Sequence, residues 1–221
     1  MAIQTEYKLQ TDLTDEDLQR LLRSEAVAID TEMTGLNPHR DILCLVQVCD
    51  HDGLVNFIRT DNWKNTPRLQ ALLADAAVMK IFHYAVMDGS FLLKNTGVES
   101  ANLYCTKVAS KIARTYSPEH GLSKLVGEML DIKLDKTQQT SFWLAPHLTP
   151  AQLKYAASDV MWLNELRIRL GEIMDLKGSL PGGPSYREIN ERCRAFLPTL
   201  IQLFLHGWDI GTGDRNTIFS H

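Results

Sequence analysis

Asp30 and Glu32 stand two residues apart in AIDTEMTGL, residues 28–36, directly after the apolar run Ala26-Val27-Ala28-Ile29. The run is compact, and Gly35 with Asn37-Pro38 closes it with turn chemistry, so it reads as a buried strand. Residues two apart on a strand share a face, which sets the two carboxylates side by side. An ionised carboxylate inside a protein is costly unless it is paired or binds a metal. Either this pair gathers a counter-cation, or the strand end is exposed and the acids are solvated.

Two further acids lie in apolar surroundings. Asp88 sits about one turn into a helix in FHYAVMDGSFLL, among Ala85, Val86, Phe91, Leu92 and Leu93. Asp159 lies on an amphipathic helix in LKYAASDVMWL, and Tyr155 precedes it by four residues, so both project from one helix face. Taken singly, each also reads as a solvated helix Asp, and the Tyr–Asp pair as a surface contact.

The elements that must position these groups are legible in outline. Apolar runs at 26–32, 42–49 and 53–58 follow one another with short connections, as in an antiparallel meander. A fourth strand is expected at 78–83 and a short one at 101–104. Thr14 and Asp17 form a capping box that opens a helix, and Thr66 with Pro67 opens another. The helix after the fourth strand stops at Gly97, and helices follow at 105–114 and 121–130. Residues 131–147 read as irregular. Thr149-Pro150 caps one long helix, AQLKYAASDVMWLNELRIRLGEIM; 177–185 is linker-like, a last amphipathic helix spans about 185–206, and the tail looks irregular. Strands first, then alternating βα, then helices predict an α/β domain over 1–176, with a helical extension over 177–221 packed on it.

Composition narrows the function classes. Hydrophobic residues make up 44% of the 221 and charged residues 23%, and the formal net charge is −4. That balance excludes nucleic-acid binding by bulk positive charge, though not a local basic patch. The seven His form no zinc-type cluster, and the four cysteines include no C-x-x-C pair. Unpaired thiols fit a reducing cytosol. MAIQTEYKLQ has no signal-peptide character, and no apolar run approaches the roughly 20 residues that span a bilayer. The expectation is a cytoplasmic, monomeric protein outside the membrane.

Residues that could grip a substrate cluster in three places. His83 ends the fourth strand, where it either touches a phosphate or sugar or makes a structural hydrogen bond. Lys107, Lys111 and Arg114, spaced i, i+4, i+7, share one helix face: a strip for backbone phosphates, or a solvated face. LDKTQQTSFW brings Lys136, Gln138, Gln139, Thr140 and Ser141 beside Phe142 and Trp143. Donors beside aromatics suit a terminal nucleotide, and the same stretch also reads as a surface loop anchored by a core Trp.

The order D-x-E, H-x-x-x-x-D, Y-x-x-x-D resembles the three motifs of the DEDDy 3′–5′ exonucleases, and AIDTEMTGL, KIFHYAVMDGSFLL and QLKYAASDV are most similar to the ribonuclease D family. The resemblance runs over roughly residues 20–170. It implies a ribonuclease H-like α/β fold, with a mixed five-stranded sheet flanked by helices. It implies that Asp30, Glu32, Asp88 and Asp159 hold two divalent ions, Mg²⁺ or Mn²⁺, as hard cations prefer carboxylates. Tyr155 would orient the attacking water. Met33, Thr34, Gly35 and Leu36 would approach the terminal nucleotide, with Leu36 wedged against its base. The implied activity is hydrolysis of single-stranded RNA from the 3′ end to nucleoside 5′-monophosphates, as in transfer-RNA processing. A 3′–5′ DNA exonuclease and a non-catalytic nucleic-acid-binding protein are the rival readings. The chain departs from the family where Phe142 replaces a common Asp, which could add a stacking surface. Ribonuclease D proteins often carry C-terminal helical HRDC modules; this chain ends too early for one, so weaker substrate binding is expected.

Overall fold

A computed structural model describes Tyr7 and residues 9–207. The element order is β1 (Leu9–Gln10), α1 (Asp15–Leu22), β2 (Ala26–Met33), β3 (Leu43–Cys49), β4 (Val55–Ile58), α2 (Pro67–Ala74), β5 (Met79–Phe82), α3 (Ala85–Thr96), β6 (Leu103–Cys105), α4 (Thr106–Ala113), α5 (Leu122–Leu130), α6 (Pro150–Met161), α7 (Leu163–Lys177) and α8 (Tyr186–His206). The expected irregular tail lies outside the described residues from 208 on.

The strands form one mixed sheet in the order β1-β4-β3-β2-β5-β6. β2, β3 and β4 are the antiparallel meander, whereas β5 and β6 join parallel to β2 on the other side. The sheet has six strands rather than five. The extra one is β1, whose two residues pair with Phe57 and Ile58 at the edge and are too short to show a periodicity.

Alternation along β2 divides the core. Ala26 and Ala28 face the layer of α4, α5, α6 and α7; Val27 and Ile29 face that of α1, α2, α3 and α8. α8 brings Leu197, Ile201 and Phe204 into the second cluster, against Phe91 and Leu92 of α3.

Three local expectations change. The helix expected over 151–174 is interrupted at Trp162, which separates α6 from α7. Thr66 does not cap α2, because its hydroxyl donates to the Trp63 carbonyl at 2.7 Å. Asp12 caps that helix instead, its carboxylate accepting from the Arg68 and Leu69 amides at 3.0 Å each. Arg114 leaves the phosphate strip: α4 ends at Ala113, the Arg114 backbone turns out of helix (φ −109°, ψ 56°), and its side chain is fully buried. There it pairs with Glu128 and donates to the Glu119 carbonyl at 2.8 Å.

Candidate active site

β2 carries Asp30 and Glu32 on the same face as Ala26 and Ala28, toward α6. α6 is fixed at its start by a capping box. Thr149 Oγ1 accepts from the Gln152 amide at 3.2 Å, and Gln152 Oε1 accepts from the Thr149 amide at 2.9 Å. One and two turns on, Tyr155 and Asp159 face β2. Carboxylate oxygens of Asp30, Glu32 and Asp159 then lie within 4.8 Å of one another.

Asp88 comes from the opposite layer. It sits in the first turn of α3, almost fully buried, and its Oδ1 accepts a 2.5 Å hydrogen bond from Thr31 Oγ1. Thr31 lies between Asp30 and Glu32 and so points to the other sheet face, which is where α3 packs. Asp88 lies outside the 4.8 Å group, yet near enough for its charge to act on Asp30 and Glu32. On β3, Gln47 is fully buried opposite Asp30, and its Nε2 donates to Glu32 Oε1 at 3.4 Å. Sequence reasoning missed Thr31 and Gln47; a Gln inside LCLVQVC was the available signal.

The carboxylates are held in an unfavourable field. Asp30 lies well above the ordinary carboxylate range, through burial first and then the negative charges of Asp88, Asp159 and Glu32. Glu32 is pushed to about 9 by burial and by Asp159 and Asp88, against the pull of Gln47. Burial lifts Asp88 to about 7 despite the Thr31 bond. It lifts Asp159 to about 6 despite hydrogen bonding from Tyr155 and the Lys136 ammonium. Tyr155 is raised by burial and by the acids facing it. A divalent cation would relieve this field, since metal ligation favours the ionised form. The donor set, all carboxylate oxygen, fits a hard cation such as Mg²⁺ or Mn²⁺.

Two cavities open on the carboxylates. One of about 670 Å³ is lined by Thr31, Glu32, Met33, Thr34, Gly35 and Leu36 from the end of β2, with Gln139, Phe142 and Trp143 opposite. The other, of about 320 Å³, is lined by Asp30, His83, Lys107, Gln139, Tyr155 and Asp159. Gln139 borders both. Gln138 does not; its Oε1 accepts from Ser141 Oγ at 2.6 Å, and it lines a separate apolar cavity behind Tyr155. Lys111 is exposed on α4 and borders neither carboxylate cavity.

Burial separates the alternatives left open for the two aromatics, with Trp143 in the core and Phe142 exposed. Trp143 is 3% exposed, its ring 6.1 Å from that of Tyr155, so it backs the tyrosine instead of offering a stacking face. Phe142 is 69% exposed on the larger cavity, as is Leu36 at the same exposure. A Cβ at Gly35 would lie 2.3 Å from Asp41 Oδ2, so a side chain there would displace that carboxylate. That carboxylate closes the 34–42 turn by accepting from the Asn37 amide at 2.9 Å.

His83 is neutral near pH 7. Burial, and then the Lys107 ammonium, pull it down to about 4. The Thr106 hydroxyl donates to the Phe82 carbonyl at 3.2 Å, so it accepts from His83 Nδ1–H at 2.9 Å. His83 thus has a structural hydrogen bond and also lines the smaller cavity.

Strand-borne acids facing a helix-borne Tyr and Asp on one face of a mixed sheet make a nuclease-like arrangement. A family model for 3′–5′ exonucleases matches residues 7–175, and the chain belongs to that family. It is 33% identical to the ribonuclease D of Desulfotalea psychrophila over 161 residues, 71% of this chain but 43% of that protein. It thus spans less than half the length of that curated relative. Among solved structures, one described as the apo form of the nuclease is 42% identical, with a TM-score of 0.88 over 99% of this chain and 100% of that one. Brucella melitensis NrnC bound to pGG is 39% identical, with a TM-score of 0.84 over 98% and 100%. The same nuclease with bound Mg²⁺ gives a TM-score of 0.84 at 39% identity over 96% and 97%.

Proposed function

We propose that this chain is a two-metal 3′–5′ exoribonuclease that releases nucleoside 5′-monophosphates from single-stranded RNA ends. The observation that carries the reading is the convergence of Asp30, Glu32 and Asp159 within 4.8 Å, with Asp88 beside them. Bound there, two divalent cations would generate a hydroxide-like nucleophile and neutralise charge on the scissile phosphate and leaving oxygen. Tyr155, which hydrogen-bonds Asp159, orients the attacking water. Leu36 and Phe142 provide apolar surface for the terminal base, and Lys107 meets a phosphate from the smaller cavity.

Two cavities joined at Gln139 suit one nucleotide on each side of the scissile bond. The relative bound to pGG supports a substrate this short. A DNA exonuclease built on the same acids is the competing reading. The test uses 5′-labelled RNA and DNA of identical sequence, down to two nucleotides, with Mg²⁺, Mn²⁺ or EDTA and an Asp30→Ala control. Metal-dependent shortening of RNA from the 3′ end, absent in the control, is expected. Equal or faster loss of DNA would replace the RNA assignment, and no cleavage with either metal would end the catalytic one.

A further inference from the structure

Tyr84 stands between His83, which lines the smaller cavity, and α3, which carries Asp88. Its backbone is left-handed (φ 78°, ψ 52°), one of three such non-glycine residues among those described. Glycine adopts that conformation freely, whereas a side chain with a Cβ does so at a cost. Strain of this kind collects where a side chain is needed in one place.

The left-handed turn sets the Tyr84 ring beneath the first turn of α4, where Lys107 Nζ lies 4.4 Å from the ring centroid. An ammonium over an aromatic face is attracted by the ring quadrupole. Lys107 is half-buried, and it lines the same cavity as Asp30, Tyr155 and Asp159. Among the described residues, the carboxylates lining that cavity are Asp30, Asp135 and Asp159, and Lys107 forms an ion pair with none of them. The ring therefore supplies what a carboxylate would otherwise supply, a fixed location, and leaves the positive charge unneutralised for an anion.

We propose that Tyr84 is a positioning residue whose ring holds the Lys107 ammonium over the smaller cavity to receive a phosphate of the substrate. This rests on the nuclease reading above. Tyr84 also packs against the second core cluster, so apolar packing and the π face must be separated.

The experiment compares the parent with Tyr84→Phe, Tyr84→Leu, Tyr84→Gly, Lys107→Ala and the Tyr84→Leu/Lys107→Ala double variant. For each, KM and kcat on a short single-stranded RNA are read at two salt concentrations, with RNA affinity by fluorescence anisotropy and thermal melting alongside. Tyr84→Phe keeps the ring, so its KM and Kd should stay nearer the parent's than those of either ring-less variant. Tyr84→Leu and Tyr84→Gly should raise KM and Kd by about three- to tenfold with kcat little changed. In the Lys107→Ala background, Tyr84→Leu should add nothing. Lys107→Ala should also flatten the logarithmic salt dependence of Kd by about 0.7, one phosphate contact on a single strand. Tyr84→Gly keeps the test valid if Leu misfolds, since glycine suits the backbone.

An unchanged KM and Kd in both ring-less variants would overturn the proposal, as would an equal effect of Tyr84→Leu with and without Lys107. Binding without cleavage by the parent would end the nuclease reading alone, because the same comparison stands in Kd. A parent that neither binds nor cleaves RNA overturns both.

Discussion

Asp88, Glu32 and Tyr155 are each held by a neighbour that is not one of the four acids or the tyrosine of the site. Thr31 fixes Asp88, Gln47 touches Glu32, and Trp143 backs Tyr155. Thr31→Val keeps the volume and removes the hydroxyl, so Asp88 loses its side-chain donor and keeps only backbone ones. Metal affinity should fall about 10- to 100-fold, as for other supports of metal ligands, measured by Mn²⁺ titration calorimetry. Tyr155→Phe removes one hydroxyl while the ring still packs on Trp143. It should lower kcat about 10²-fold with a small change in KM, read by steady-state kinetics on RNA. An equal rise in KM would instead assign Tyr155 to binding.

At the scale of elements, the 34–42 turn is braced by parts of the chain far away in sequence. His39 Nε2 donates to the Leu205 carbonyl near the end of α8, and Lys94 of α3 donates to the Pro38 carbonyl. The turn carries Leu36 and closes one side of the larger cavity. His39→Ala should therefore raise KM about three- to tenfold, the worth of one hydrogen bond. Amides over 34–42 should exchange faster in the same variant, while protection of α6 stays unchanged. The meander was legible in the sequence from its apolar runs and short connections, and Met33 to Leu36 from the family resemblance. What escaped is non-local. Asp12 caps a helix more than fifty residues on, and β1 is two residues at an edge. The Trp162 break carries no proline or glycine. A spacing of seven put Arg114 on the lysine face, but the helix ends one residue earlier and the guanidinium turns inward to Glu128. Phe142 and Trp143 are neighbours, and only packing against α6 decides which is buried.

For the whole molecule, the buried acids link stability, protons and metal. In the metal-free fold Glu32 sits at about 9, Asp88 at about 7 and Asp159 at about 6, all above their values in an unfolded chain. The folded state thus binds more protons than the unfolded one from about pH 4 upward. Their contribution to stability is complete below the unfolded pKa values and is lost as pH rises through the folded ones. Lys80, fully buried and lowered to about 8, has the opposite effect chiefly above that pH, and His83, lowered to about 4, has it below about pH 6.5, so the clean window is pH 6.5–8. In EDTA the melting temperature should fall across that window by about 4–10 °C, equivalent to roughly 2–3 kcal/mol. Asp30→Asn removes one of the repelling charges. It should raise the EDTA melting temperature at pH 8 by about 2–6 °C while abolishing cleavage, since the lost ligand and the relieved repulsion are the same carboxylate. Mg²⁺ or Mn²⁺ should stabilise the parent more at pH 8 than at pH 5, because ligation requires the acids to release their protons. Scanning calorimetry at four pH values, with and without metal, reads all three. A metal-free melting temperature that rises from pH 6.5 to pH 8 would mean the acids are already ionised and paired, and the buried carboxylates would then need a cation other than a metal.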